Sequence, residues 1–183
     1  MSQQEVMNWL KKAVLLHQTG RLDDAATFYE QVLRKVPANF DATRLLGVVR
    51  MQQGASKDAI ALLEKARAMK PRSGEVLGHL GLAYKNAGTF DKAESTYKNA
   101  LKLNPKDLNT ILNLGNLFMV QGQAVKALPL YQRATVLQGN NPQCHIALGD
   151  ALSDLGETTD AIDAYTKAHE VSPKSVDALN GIG

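Results

Sequence analysis

Residues 84–105, YKNAGTFDKAESTYKNALKLNP, combine a strongly helical composition with a glycine near the start and a proline at the end. Gly88 allows a tight turn, because its backbone adopts φ values that residues with a Cβ resist. Pro105 ends the following helix, because proline lacks a backbone donor and clashes with the preceding turn. The stretch therefore predicts the end of one helix, a turn and a complete second helix.

The same pattern returns every 34 residues along the chain of 183. The glycines that share this spacing are Gly20, Gly54, Gly88, Gly122 and Gly156. The alanines that follow them are Ala25, Ala59, Ala93, Ala127 and Ala161. The prolines of the period are Pro37, Pro71, Pro105 and Pro173. So many coincident columns identify an internal repeat.

The repeat divides the chain into units of equal length. The predicted units are 6–39, 40–73, 74–107, 108–141 and 142–175, and a sixth begins at 176–183. Its eight residues, VDALNGIG, match the first positions of the other units, with Gly183 on the expected column. We therefore expect a single array over residues 1–183 that is truncated within its sixth repeat.

Each unit is predicted to contain two helices. In the third unit, the apolar face of the first helix has i, i+3, i+4, i+7 spacing and consists of Leu77, Leu80, Gly81 and Tyr84. The face of the second helix consists of Ala93, Tyr97, Ala100 and Leu103. The small residues on both faces allow two antiparallel helices to approach closely. The predicted fold is all-α.

These columns resemble the tetratricopeptide repeat, whose pattern is W-x2-L-G-x2-Y, A-x3-F and P. The best match is made by Leu77, Leu80, Gly81, Tyr84, Ala93, Tyr97 and Pro105. The resemblance extends from about Val6 to Gly183. It implies a right-handed α-solenoid of stacked helix-turn-helix repeats, and a non-catalytic scaffold that binds a protein or peptide segment in a concave groove.

The resemblance also implies which side chains line the groove, namely those on one side of each first helix. The candidate residues are Leu10, Val14, Arg44, Val48, Met51, Leu82, Lys85, Leu112, Asn113, Asn116 and Met119. The apolar members would supply most of the affinity, whereas Arg44 and Lys85 would select charge at the rim.

Two specialised grooves of the family are not matched. The clamp for acidic chaperone tails needs Lys and Asn in one unit and Asn, Lys and Arg in the next two. The residues at these places are Leu10, Val14, Leu45, Glu75 and His79. The asparagine ladder of O-linked N-acetylglucosamine transferases falls on Lys11, Leu45, His79, Asn113 and Ala147. Only Asn113 matches that ladder.

No catalytic, cofactor-binding or metal-binding constellation is visible. The four histidines share no metal-ligand spacing. Cys144 and His145 are adjacent, and adjacent residues on a helix point apart, so they do not form a nucleophile–base pair. The sequence predicts neither an enzyme nor a cofactor.

The charge is distributed unevenly along the chain. The net charge of +3 combines +6 over residues 1–107 with −3 over residues 108–183. Residues 34–72 contain nine basic and three acidic residues, which raises the hypothesis of a nucleic-acid surface. Interleaved exposed aromatic residues are missing there, so a protein or peptide partner is favoured over nucleic acid.

The N-terminal sequence has no basic leader followed by a long apolar run, since its longest apolar run is Ala13 to Leu16. This predicts neither a signal peptide nor a membrane span. The single cysteine is consistent with a reducing compartment, so the expected localisation is cytoplasmic.

Two further hypotheses concern assembly. Residues 17–37, HQTGRLDDAATFYEQVLRKVP, resemble the tetratricopeptide arrays that precede glycosyltransferase or sulfotransferase domains in bacterial proteins. As an alternative function, the chain would then be the substrate-recruiting arm of such an enzyme. Trp9 on the first helix and the incomplete sixth unit also raise the hypothesis of self-association through the ends of the array.

Overall fold

The computed structural model describes residues 3–182. Gly183, the last residue of the predicted sixth unit, lies outside this range, as do Met1 and Ser2. The helices are α1 Gln3–Gln18, α2 Leu22–Lys35, α3 Phe40–Gln52, α4 Ser56–Met69, α5 Gly74–Asn86, α6 Phe90–Leu103, α7 Leu108–Val120, α8 Ala124–Leu137, α9 Pro142–Asp154, α10 Thr158–Val171 and α11 Val176–Ile182. Residues 3–182 contain no strand, and none of their helices is both long and apolar enough to cross a lipid bilayer.

The chain forms two compact units, one up to Thr96 and one from Tyr97, with the boundary inside α6. In the first unit, α1 packs on α2, α2 on α3, α3 on α4 and α4 on α5. In the second unit, α7 packs on α8, α8 on α9, α9 on α10 and α10 on α11. Within each unit, these helices thus pack on their neighbours in the chain, as in stacked helical hairpins. The predicted fold class, an all-α solenoid of helical pairs, is confirmed.

The turn inside each pair depends on a left-handed glycine. The five glycines at this place, with φ between +68° and +78°, are Gly20, Gly54, Gly88, Gly122 and Gly156. In the third pair, the Gly88 N–H donates to the Lys85 carbonyl at 3.0 Å and the Thr89 N–H donates to the Tyr84 carbonyl at 3.0 Å. These two bonds satisfy the last carbonyls of α5, so the turn predicted at Gly88 is confirmed.

Polar side chains begin most first helices. The N-cap residues are Asn39, Ser73, Asp107 and Asn141. Each side chain accepts a backbone N–H from the first turn of its helix, at distances of 2.8 to 3.3 Å. These caps satisfy donors that have no partner inside the helix. They recur every 34 residues and help to start the first helix of each pair at the same place.

The first helices are buried over a wider face than the sequence spacing predicts. In α5, the expected residues Leu77, Leu80 and Tyr84 are buried, and so are Val76 and Ala83 on an adjoining side. The reason is that α5 also packs against α4, the second helix of the preceding pair. A prediction that assigns one amphipathic stripe to each helix therefore underestimates the number of buried residues in a stacked array.

Glycines inside the first helices let the paired helix come very close. A Cβ on Gly149 would lie 2.6 Å from Cε1 of Tyr165, and a Cβ on Gly47 would lie 2.9 Å from Cγ of Leu63. At these places the side chain of the second helix packs directly on the backbone of the first helix. Glycine leaves the space that this close packing needs, because a larger residue would have to push the facing side chain away.

Candidate peptide-binding face

Seven of the eleven candidate residues lie on the first helices of the first unit. We call them the first-unit face: Leu10, Val14, Arg44, Val48, Met51, Leu82 and Lys85. Leu10 and Val14 are half-buried and pack on the core that contains Ala13 and Tyr29. Met51, Leu82 and Lys85 are half-buried as well. The face therefore presents partly exposed apolar side chains on α1, α3 and α5.

Val48 differs from the other apolar candidates. Only 8% of its surface is exposed, and it is counted among the buried residues of α3. A side chain this deeply buried offers little area to a ligand. The contact surface of the first-unit face therefore depends on its half-buried apolar residues rather than on Val48.

Polar contacts join the three first helices across this face. The Arg44 guanidinium of α3, whose side chain is 12% exposed, donates from Nη1 to the Glu75 carboxylate of α5. The His17 Nε2 of α1 lies 2.8 Å from Oε1 of Gln52 on α3. Arg44 is thus more deeply buried than a rim residue, which differs from its predicted role.

Two titratable groups on this side of the unit have shifted pKa values. Burial lowers the pKa of His79, with Glu75 acting in the opposite direction and with Arg44 and His17 adding to the decrease. Burial raises the pKa of Tyr29 to about 12, although the positive charge of Arg44 opposes this increase. Neither His79 nor Tyr29 was among the candidate groove residues, because His79 was compared only with the clamp and ladder columns and Tyr29 lies on a second helix.

The lowered pKa of His79 predicts acid sensitivity. The unfolded histidine binds a proton near its ordinary pKa of about 6.5, whereas the folded one binds it only at lower pH, so the free energy of unfolding should fall as the pH drops below about 6.5. Urea unfolding at about pH 7.5 and about pH 5.5 should show this loss, since most carboxylates stay ionised in that window. The His79→Gln variant should lose less of its free energy of unfolding between these two pH values. Equal losses in the native protein and the variant would show that His79 does not cause the acid sensitivity.

The other four candidates lie on α7 in the second unit. Leu112, Asn113 and Met119 are half-buried, whereas Asn116 is exposed. The Oδ1 of Asn116 accepts a hydrogen bond from the Tyr131 hydroxyl at 2.6 Å. This acceptor therefore stabilises the α7–α8 pair and is already occupied.

The next repeat has a similar polar pair. The Tyr165 hydroxyl donates to Oδ1 of Asp150 at 2.9 Å, and these residues occupy the same repeat positions as Tyr131 and Asn116. In the second repeat, the equivalent positions are the apolar Val48 and Leu63. The repeat position that is apolar at Val48 in the first-unit face is therefore polar at Asn116 and Asp150 in the second unit.

The cysteine and its neighbouring histidine do not act together. Cys144 is buried, and burial raises the pKa of its thiol. The His145 Nε2 lies 2.8 Å from the Gly139 carbonyl oxygen, so the ring is held by the backbone instead. Within residues 3–182, no group of three or more histidine, cysteine or acidic residues is placed to hold a metal ion.

Comparisons with known proteins agree with this architecture. Family models described as tetratricopeptide repeats match residues 9–74, 50–107, 85–151 and 142–175. A comparison with curated proteins gave no match.

Several solved structures share the fold. TTC0263, a thermophilic tetratricopeptide protein of Thermus thermophilus, is 26% identical over 96% of this chain and 95% of its own, with a TM-score of 0.77. MamA protein is 24% identical over 92% of each chain, with a TM-score of 0.77. YrrB, described as a tetratricopeptide protein with an unusual peptide-binding site, is 21% identical over 94% of this chain and 89% of its own, with a TM-score of 0.73. From these matches and the stacked helical pairs, the chain belongs to the tetratricopeptide repeat family.

Proposed function

We propose that the chain is a non-catalytic scaffold that binds a segment of a partner protein, and that the first-unit face is its main contact surface. The face gathers Leu10, Val14, Met51 and Leu82 on three first helices, each side chain half-buried and each still able to contact a ligand. A bound segment would remove the remaining apolar area from water. This row of half-buried apolar side chains is the observation that carries the proposal.

The chemistry of the face suits a polypeptide ligand. Methionine adapts its shape to different partners, so Met51 can follow side chains of varied size. Lys85, half-buried at the end of α5, and the Arg44–Glu75 pair place charges beside the apolar row. Apolar anchors with charges at the margin are typical of surfaces that bind an extended or helical segment.

The family assignment supports the same proposal. Tetratricopeptide repeats occupy residues 9–175, so the matched part of the chain consists of interaction repeats. YrrB, which shares the fold, is described as having a peptide-binding site. The contribution of this chain is then to hold a partner in a defined place.

The test is partner capture by a face variant. In Met51→Lys/Leu82→Lys, two apolar anchors become cations, and each anchor is worth about 1–2 kcal/mol at a binding hot spot, so the affinity should fall roughly 30-fold or more. Proteins captured from a lysate of the source cells by the native chain and by the variant would be compared by quantitative mass spectrometry. The native partners should be depleted from the variant sample.

The matched control is Leu15→Lys. Leu15 is 60% exposed on α1 and lies beside Val14 in sequence but on a different side of the helix. The Leu15→Lys variant makes the same kind of change, leucine to lysine, outside the first-unit face. This variant should therefore still capture the native partners. Circular dichroism would show that all three proteins are folded. Equal capture by the native chain and the double variant would refute the proposed function.

A further inference from the structure

A cavity of about 470 Å³ lies between α8, α9 and α10 in the second unit. We call it the Asp160–Asp163 cavity, after two exposed carboxylates of α10 that line it. Its apolar wall includes Leu148 and Leu152 of α9 and Ala164 of α10. None of the eleven candidate residues lines this cavity. Its size and its mixture of apolar wall and few polar groups are typical of a ligand-binding site.

The sizes of the side chains account for the space. Leu152 stands at the repeat position that Tyr84 and Phe118 occupy in the third and fourth repeats. Ala164 stands at the position of Leu130 in the fourth repeat. An aromatic ring is thus replaced by leucine, and leucine by a methyl group. The fifth repeat leaves volume unfilled where the preceding repeats have larger side chains.

The charge at this place is reversed relative to the two preceding repeats. The Nζ of Lys92 lies 5.6 Å from the centroid of the Tyr84 ring, and the Nζ of Lys126 lies 5.5 Å from that of Phe118. Both distances suit a cation–π interaction. Asp160 occupies the repeat position of these lysines. The third and fourth repeats therefore hold a cation of their own here, whereas the fifth has a carboxylate beside a cavity.

The polar groups of the cavity are mainly hydrogen-bond acceptors. No ion pair within residues 3–182 involves Asp160 or Asp163, so both carboxylates can accept from a ligand. The wall also contains His145, which is 8% exposed and whose Nε2 is 2.8 Å from the Gly139 carbonyl oxygen. A carbonyl only accepts, so the neutral ring has its proton on Nε2 and leaves Nδ1 as an acceptor. Lys167 is the one basic residue in the lining, so the carboxylates outnumber it and the cavity favours a cation.

We propose that the Asp160–Asp163 cavity binds an arginine side chain from an extended segment of a partner protein. The guanidinium has five N–H donors for the two carboxylates and the ring of His145, and its stem of methylene groups packs along the leucines. The arginine then supplies the cation that lysine supplies in the third and fourth repeats. Val136, 86% exposed at the same cavity, is available to an apolar neighbour of that arginine.

This site goes beyond the proposed function, because it lies in the second unit and its residues are separate from the first-unit face. It adds a partner class, namely segments in which an arginine is flanked by apolar residues. Arginine is favoured over lysine because its planar, five-donor head can contact several acceptors at once, whereas an ammonium is a compact point charge.

The test uses methyl NMR of the full chain with ¹³C-labelled leucine. The reporter is the resonance of Leu148, assigned by its loss in Leu148→Ile. The probes are the acetylated and amidated tripeptide leucine-arginine-leucine and the same peptide with citrulline, the neutral analogue of arginine with a similar shape. We expect a saturable shift with the arginine peptide and a Kd at least tenfold higher for the citrulline peptide. A lysine peptide should also bind more weakly than the arginine peptide.

A matched pair of variants tests the carboxylate. Asp160→Asn removes the charge of an exposed side chain with little change in shape, so the fold should be retained. The Kd for the arginine peptide should rise about tenfold, as expected for a lost hydrogen bond to a charged group. Asp58→Asn makes the same change at the same position of the second repeat, outside the cavity, and should leave the Kd unchanged.

A second variant closes the cavity. Leu152→Phe/Asp160→Lys copies Phe118 and Lys126 of the fourth repeat into the fifth. The ring should fill the space and the lysine should supply the cation, so the arginine peptide should no longer shift Leu148. Circular dichroism would show that this variant is folded.

Three results would overturn the proposal: equal Kd values for the arginine and citrulline peptides, no saturable shift of Leu148 with the arginine peptide, or equal effects of Asp160→Asn and Asp58→Asn. The proposed function is tested separately, because Met51→Lys/Leu82→Lys leaves the cavity unchanged and should bind the arginine peptide with the native Kd. Loss of partners by that variant, without any shift of Leu148 in the native chain, would support the first-unit face and refute the arginine site.

Discussion

Replacing Gly149 with leucine should lower the free energy of unfolding by about 3 kcal/mol, the upper part of the usual range for overpacking a core. A Cβ at this position would lie 2.6 Å from Cε1 of Tyr165 and 2.8 Å from both Cδ1 and Cζ. The ring cannot move away freely, because Tyr165 is buried and its hydroxyl is bonded to Asp150. The α9–α10 pair must separate to admit the new side chain. Urea unfolding would measure the loss.

The matched control is Gly74→Leu at the start of α5. A Cβ on Gly74 meets no atom within 4 Å, so this change should alter the free energy of unfolding by less than about 0.5 kcal/mol. Gly149→Ala should fall between the two, since Ala13 occupies the same column of the first repeat. A Gly149→Leu protein as stable as Gly74→Leu would show that the close approach of the helices is not required.

Val48→Asp should cost about 3 kcal/mol, because it places a carboxylate without a partner in a buried position. The fifth repeat has Asp150 at the same column, where the Tyr165 hydroxyl donates to it. In the second repeat the residue opposite is Leu63, which has no donor and is fully buried. We therefore expect this repeat position to accept aspartate where a tyrosine hydroxyl can donate to it. The loss would be measured by urea unfolding.

The double variant Val48→Asp/Leu63→Tyr tests this explanation. It copies the Asp150–Tyr165 pair into the second repeat, where Gly47 stands at the place of Gly149. A hydrogen bond to a charged group should recover about 1.5 kcal/mol or more of the lost stability. Additive losses from the two single changes, with no recovery in the double variant, would mean that the pair does not account for the tolerance of aspartate at this column.

The fold could be predicted because its determinants are local and repeated. Gly88 requires a left-handed backbone and Pro105 cannot continue a helix, so each marks a boundary by its own chemistry. The extra burial of Val76 and Ala83 was not predicted, because it depends on contacts with the preceding pair rather than on the period of one helix. The spacing of apolar residues within a helix indicates one buried side, whereas the packing of a helical pair on the preceding pair buries a second side of the helix.

The candidate face was predicted only in part, for a similar reason. The repeat register placed Val14, Val48 and Met51 on one side of the first helices, but register does not give depth, and Val48 is almost fully buried. The polar pairs Arg44–Glu75 and His17–Gln52 were not predicted, because each joins side chains of two different helices at different repeat positions.

The turn glycines have a consequence for chirality. Their φ values of +68° to +78° are the mirror image of those in a right-handed helix, so an L-residue is strained there even though its Cβ would meet nothing within 4 Å. The obstacle is the handedness of the α-carbon, not crowding. D-alanine would suit the same backbone, and all five positions are exposed. Each turn is therefore a place where a mirror-image residue would restrict the unfolded chain without disturbing the folded one.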